Sequence, residues 1–119
     1  MVSYRLSSLA NTQQDDIWHY TESTWGDSQA ISYLEGLHAH FERLARIKAL
    51  WRRLPQGLAA PSDIDTPVYF SRYVEHLIFF RELKSGAIGV ISVLHGRSDI
   101  PVRLSEDLYQ ISKLGDFEN

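Results

Sequence analysis

The chain has no cysteine and a single methionine. Disulfides, thiolate metal sites and a cysteine nucleophile are therefore excluded. No run approaches the roughly 18 apolar residues of a membrane span. The opening Met-Val-Ser-Tyr-Arg-Leu-Ser-Ser has one arginine and no apolar core. No secretory signal is expected there, and a soluble, cytoplasmic protein is the expectation. A positive excess is also missing: 12 Lys and Arg stand against 15 Asp and Glu, for a formal charge of -3. A dedicated nucleic-acid binder usually has a strong basic surplus, so direct binding to phosphate backbones is disfavoured. The five histidines contain no H-E-x-x-H pair, and neither a Gly-rich phosphate loop nor a G-x-S-x-G elbow occurs. No metal and no cofactor are expected.

What is present is enough apolar material for one core: 119 residues, 44% of them hydrophobic. The densest strand-forming run is Val74 to Asp99. It breaks at Ser85-Gly86 and ends at His95-Gly96-Arg97. Leu77, Ile78, Phe79 and Phe80 precede the break, and Ile88, Val90, Ile91, Val93 and Leu94 follow it. This predicts a central β-hairpin buried on both faces. Val68 to Arg72 reads as a further strand, and the alternation of Val2, Tyr4 and Leu6 as a short first one.

Between the first strand and the others lie two helices. Ser7-Ser8 can cap the first, from about Leu9 to Trp25, with Leu9, Ile17, Tyr20 and Thr24 along one face; Gly26 stops it. Asp27 or Ser28 can cap the second. Ala30, Leu34, Leu37, Phe41, Leu44 and Lys48 carry its helical period to about Arg52. Leu54 to Pro67 reads as a loop. A last helix is predicted from about Pro101 to Leu114, ended by Gly115, with Asp116 to Asn119 as a frayed acidic tail. The order predicts an α+β fold: a four-stranded, mostly antiparallel sheet with a helical hairpin on one face.

Several segments then add up to a pattern. Trp18, Tyr20, Trp25 and Gly26 form W-x-Y-x-x-x-x-W-G. His76, Ile78, Phe79, Phe80 and Arg81 approximate H-x-I-F-Y-R. Val93, Leu94, His95, Arg97 and Asp99 form V-L-H-x-R-x-D. In order and spacing this resembles the ParE branch of the RelE/ParE superfamily, the toxins of type II toxin–antitoxin modules. The resemblance covers about residues 2 to 104. It implies a toxin domain over 1–104, with 105–119 as a helical extension and tail. Two features depart from the family pattern: Asp65 and Tyr69 stand where basic residues are usual, and the chain continues past residue 104.

The resemblance implies a non-enzymatic protein that binds DNA gyrase and blocks replication. It also implies a ParD-like antitoxin that folds over the toxin, with the complex touching operator DNA only through the antitoxin. The expected target-binding rim is His95, Arg97 and Asp99, joined by Arg72 and Arg81. The expected antitoxin surface is Trp18, Tyr33, Leu37, Phe41, Leu44 and Trp51. Each has a plainer reading. Arg97 and Asp99 can pair with each other or lock the turn at Gly96, and the tryptophans can close the core. Arg43, Arg46, Lys48, Arg52 and Arg53 can be a solvated helix end favoured by the dipole. The rival functions are a ribosome-dependent mRNA endonuclease and a toxin-like protein without toxicity. The endonuclease needs a general base, a general acid and clustered cations. Arg72, Arg81, Lys84 and Arg97, with Tyr109 as a tail tyrosine, supply that set poorly.

Overall fold

The structure, a computed structural model, describes residues 3–55, 67–115 and 117. The first strand, β1 (Tyr4–Leu6), leads into α1 (Ser8–Trp25) and α2 (Asp27–Arg46). A short 3-10 turn (Lys48–Leu50) precedes β2 (Arg52–Arg53). Then come β3 (Tyr69–Tyr73), β4 (His76–Glu82), β5 (Ile88–His95) and α3 (Ile100–Leu114). The expected α+β order is present, but among the described residues the sheet has five strands rather than four, in the order β1-β5-β4-β3-β2. β1 pairs parallel to β5; the other neighbours are antiparallel.

The fifth strand arises because α2 is shorter than its sequence period. It ends at Arg46 instead of continuing to about Arg52, and Ile47 turns to extended backbone. Trp51 folds back onto Tyr69 and Phe80, with ring centroids 5.0 and 5.4 Å away. Its indole N–H donates to the Leu44 carbonyl at 2.7 Å, which occupies an acceptor at the helix end. Packing of one aromatic side chain thus overrides helical periodicity. Arg52 and Arg53 then pair with Phe70 and Tyr69 as a basic edge strand.

The helix caps also differ in part. Ser7 caps α1 as expected: its Oγ accepts from the Ala10 amide at 2.9 Å and donates to the Ile91 carbonyl at 2.8 Å. One buried hydroxyl therefore fixes both the helix start and its place on β5. Neither Asp27 nor Ser28 caps α2. Gly26, at φ 93, takes the cap position without a side-chain bond, and Asp27 is the first helical residue, where its charge suits the dipole.

The sheet separates two apolar layers. On one side Leu37, Phe41 and Leu44 of α2 pack on Ile78, Phe80, Ile88, Val90 and Val93. On the other Leu104, Leu108 and Ile111 of α3, with Phe117, pack on Phe79, Leu83, Ile91 and Leu94. The central hairpin is buried on both faces, as its continuous apolar runs predict. α1 runs along β5 past the end of short β1. There the Gln13 side chain accepts from the Val93 amide at 2.8 Å and donates to Asp107 of α3 at 2.9 Å. The buried residues of α1 are Ala10, Ile17 and Thr21; of the expected face, Ile17 is buried and Leu9 half-buried, but Tyr20 and Thr24 are exposed. Packing along β5 turns Tyr20 and Thr24 outward.

A bulge in β5 sets which side chains reach which layer. Phe80 pairs with Val90 but Phe79 pairs with Ser92, so Ile91 is the extra residue. Ile91 and Ser92 therefore both face α3, where Ser92 donates to Asp107 at 2.7 Å. The phase change returns Val93 and His95 to the α2 face.

The acidic tail lies largely outside the described residues, but Phe117 is buried rather than frayed, because it fills space beside Gly89. Residues 56–66 also lie outside the described residues, and with them the expected loop centre and Asp65.

Candidate functional site

A cleft of about 750 Å³ opens between the helical hairpin, the β3–β4 turn and the end of β5. Its floor is built from a column of rings. Tyr33 of α2 stands edge-on to Tyr73 and His76, with centroids 5.2 and 5.6 Å away. His76 in turn meets His95 at 5.3 Å. The Tyr33 hydroxyl lies 2.6 Å from His76 Nδ1, and the Tyr73 hydroxyl donates to the Tyr33 carbonyl at 3.3 Å.

Burial sets the charge state of this column. It pushes the Tyr33 phenol up to about 12, with a backbone bond from Glu75 pulling the other way and the Tyr73 and Glu75 charges adding to the rise. Burial also lowers His76, and His95 adds to that effect while Glu75 opposes it. Both groups are neutral at pH 7. The phenol is then the better donor, so Nδ1 accepts and the ring hydrogen of His76 sits on Nε2.

The rim is tied together by backbone bonds. Gly96 N–H donates to the Glu75 carbonyl at 2.9 Å, joining the β3–β4 turn to the turn after β5. Arg72 Nε donates to the Val74 carbonyl at 2.9 Å. His95 Nδ1 accepts from the Arg97 amide at 3.0 Å, and its Nε2 lies 3.8 Å from the Glu75 carboxylate. Val74, the first residue of the two-residue turn, is at φ 52. A β-branched residue in the left-handed region is strained. Val74 is nevertheless 60% exposed, beside Tyr20 at 68% and Trp25 at 70%, and all three line the same cleft.

The expected rim is therefore only partly one place. Arg72, His95 and the Arg97 turn gather at this end of the sheet, and His95 locks the turn through the Arg97 amide. Arg97 and Asp99 are exposed and form no ion pair with each other among the described residues. Arg81 lies at the opposite end of β4, paired with Gly89, and its guanidinium covers the Phe117 ring.

The expected antitoxin surface divides likewise. Leu37, Phe41 and Leu44 are fully enclosed, because the apolar stripe of α2 is laid on the sheet. They offer a partner no surface. Trp18, Tyr33 and Trp51 are half-buried and keep some. Of the basic helix end, Arg43 and Arg46 are solvated, while Lys48 pairs with Glu82 at 2.8 Å.

Sequence reading overlooked Tyr73, Glu75, His76 and Arg103 as lining residues. The only signal for His76 was its place at the head of the H-x-I-F-Y-R pattern, since its partner across the hairpin depends on the bulge at Ile91. Arg103 is the one Lys or Arg among the described residues lining the cleft. No group of three or more His, Cys, Asp or Glu among the described residues is placed to hold a metal ion.

This fold and motif set coincide with a match to the family model for the ParE toxin of the type II toxin–antitoxin system parDE, over residues 4–100. The chain belongs to the ParE toxin family. It is 33% identical over 97 residues to Toxin ParE1 of Caulobacter vibrioides, covering 80% of this chain and 90% of that one. It is 29% identical over 97 residues to Toxin ParE1 of Mycobacterium tuberculosis, covering 82% of this chain and 92% of that one. The family match ends where α3 begins. Within this toxin family the cleft just described is an assembly of family-matched elements, apart from Arg103 on α3. No helix among the described residues is long and apolar enough to cross a membrane.

Proposed function

We propose that this type II toxin acts in the cytoplasm by binding DNA gyrase and blocking replication, and that it does so without catalysing a reaction of its own. The family match over residues 4–100 carries this reading. The cleft supports it. RNA cleavage needs a proton acceptor, a proton donor and several cations around one phosphate. Among the described residues a single arginine lines the cleft, and His76 is engaged by Tyr33. Exposed Tyr20, Trp25 and Val74 around polar Arg72, His95 and Arg97 resemble a protein-recognition rim, apolar anchors beside polar specificity groups.

A ParD-like antitoxin neutralises the toxin by folding over the surface that Trp18, Tyr33 and Trp51 leave open. The toxin–antitoxin complex contacts its operator through the antitoxin.

The test is gyrase supercoiling with purified protein, with and without antitoxin. Blocked supercoiling and accumulated cleavage complexes are expected, both reversed by antitoxin. No inhibition at saturating protein overturns the gyrase assignment. Codon-positioned cuts in mRNA from induced cells would instead identify a ribonuclease. Arg97→Ala is expected to remain folded and lose toxicity; full toxicity would make Arg97 a turn residue only.

A further inference from the structure

The other end of the sheet carries a second arrangement, far from the cleft. Arg5 of β1, Gly89 of β5 and Arg81 of β4 lie in one row across three paired strands. Gly89 leaves a gap between the two arginines. A Cβ there would come within 3.1 Å of Phe117 and 3.0 Å of Leu83. Phe117 fills the gap. Its ring centroid lies 5.3 Å from the Arg81 guanidinium carbon and 6.0 Å from that of Arg5. Arg81 is half-buried, and no carboxylate among the described residues pairs with it. A desolvated guanidinium under a ring gains further from an anion beside that ring.

Two observations mark Phe117 as an exchangeable occupant. Its backbone is at φ 67, a left-handed conformation that a phenylalanine adopts only under constraint. The three residues that build the gap lie within the family-matched stretch, whereas Phe117 lies beyond it. The occupant's chemistry is written in the sequence, where Phe117 stands between Asp116 and Glu118. We propose that the Arg5–Gly89–Arg81 slot is a receptor for an acidic–aromatic–acidic segment of a partner protein, and that the chain's own Phe117 holds the slot until such a segment displaces it. A nucleobase is the other flat group that arginines sandwich, and binding of RNA in place of the peptide is an outcome of the test.

The experiment uses the full chain and a labelled peptide of sequence Leu-Gly-Asp-Phe-Glu-Asn, followed by fluorescence anisotropy. Phe117→Ala is expected to bind the peptide at least about tenfold more tightly than the unaltered chain, the scale of one lost competing contact. Adding Arg81→Gln is expected to abolish the gain, and so is replacing the peptide's phenylalanine by alanine. A Phe117→Ala protein with unchanged circular dichroism and no peptide binding overturns the proposal. If Phe117→Ala does not fold, the peptide is titrated onto the unaltered chain and onto Arg81→Gln; weaker binding to Arg81→Gln is expected, and equal binding or none overturns the proposal. Preference for a single-stranded RNA oligonucleotide over the peptide also overturns it.

Discussion

His76 and His95 face each other across β4 and β5, ring centroids 5.3 Å apart, because Ile91 is bulged out of the ladder between them and the turn. The register nearest the turn, Glu82 with Ile88, would carry on to set Leu94 opposite His76. One extra residue moves His95 onto the α2 face and into the cleft instead.

Three histidines link the helices to the sheet. His38 lies 2.7 Å from the Tyr4 hydroxyl, His40 lies 2.9 Å from Ser71 Oγ, and His76 lies 2.6 Å from the Tyr33 hydroxyl. Burial lowers all three pKa values below 6.5, with Arg43 adding to the effect at His40 and His95 at His76, where Glu75 opposes. Such a histidine binds fewer protons folded than unfolded. Its stabilisation is complete above about pH 6.5 and is lost as pH falls through the window down to the folded-state pKa. The Tm measured from about pH 7.5 to about pH 5 should therefore fall, and His40→Gln should flatten the slope. A constant Tm over that range would contradict this account.

Gly36 is a helical glycine kept clear for a tyrosine. A Cβ at this position would lie 2.0 Å from the Tyr73 hydroxyl. In an open helix Gly→Ala gains about 1 kcal/mol. Here Gly36→Ala must displace Tyr73 from Tyr33, and a net loss of roughly 1–3 kcal/mol is expected in urea unfolding. The loss should shrink in a Tyr73→Phe background, since the hydroxyl makes the closest approach.

At Val74, stability and binding should move in opposite directions. Val74→Gly relieves the left-handed strain at φ 52 and should raise stability by about 1 kcal/mol. It also removes an exposed apolar group from the cleft mouth. Growth arrest on induction should weaken even though Tm rises. A variant that gains stability and keeps full toxicity would remove the turn from the recognition rim.

Asp107 joins three elements through one oxygen, which accepts from Gln13 at 2.9 Å and from Ser92 at 2.7 Å. Asp107→Ala leaves the buried Ser92 hydroxyl and the half-buried Gln13 amide without their acceptor and should cost about 2–4 kcal/mol. Hydrogen exchange should show α3 amides losing protection first, with β4 retained. Equal loss everywhere would mean that α3 unfolds only with the whole domain.

The element order was legible because it rests on local signals. The glycine stop between the helices, the period of α2, the Ser7 cap and the apolar runs of the hairpin all act within a few residues, and they led to the α+β architecture. The errors came where contacts distant in sequence decide. Trp51 ends α2 early by docking on Tyr69 and Phe80, and packing beside β5 rotates α1 so that Ile17 goes in and Tyr20 stays out. The candidate rim was half legible. His95 and Arg97 follow a strand, but placing Arg81 needed the sheet register, which puts it at the far end.

The sequence by itself determined which segments are helix and strand and which family the motifs resemble, because capping, turn chemistry and hydrophobic period are properties of neighbouring residues. Only the tertiary structure decided which side chains share a place. The Ile91 bulge brings His95 to His76 and Tyr33, and the bare backbone of Gly89 makes room for Phe117 between Arg5 and Arg81. Both depend on strand register and on space left between layers, which exist only once the layers have packed.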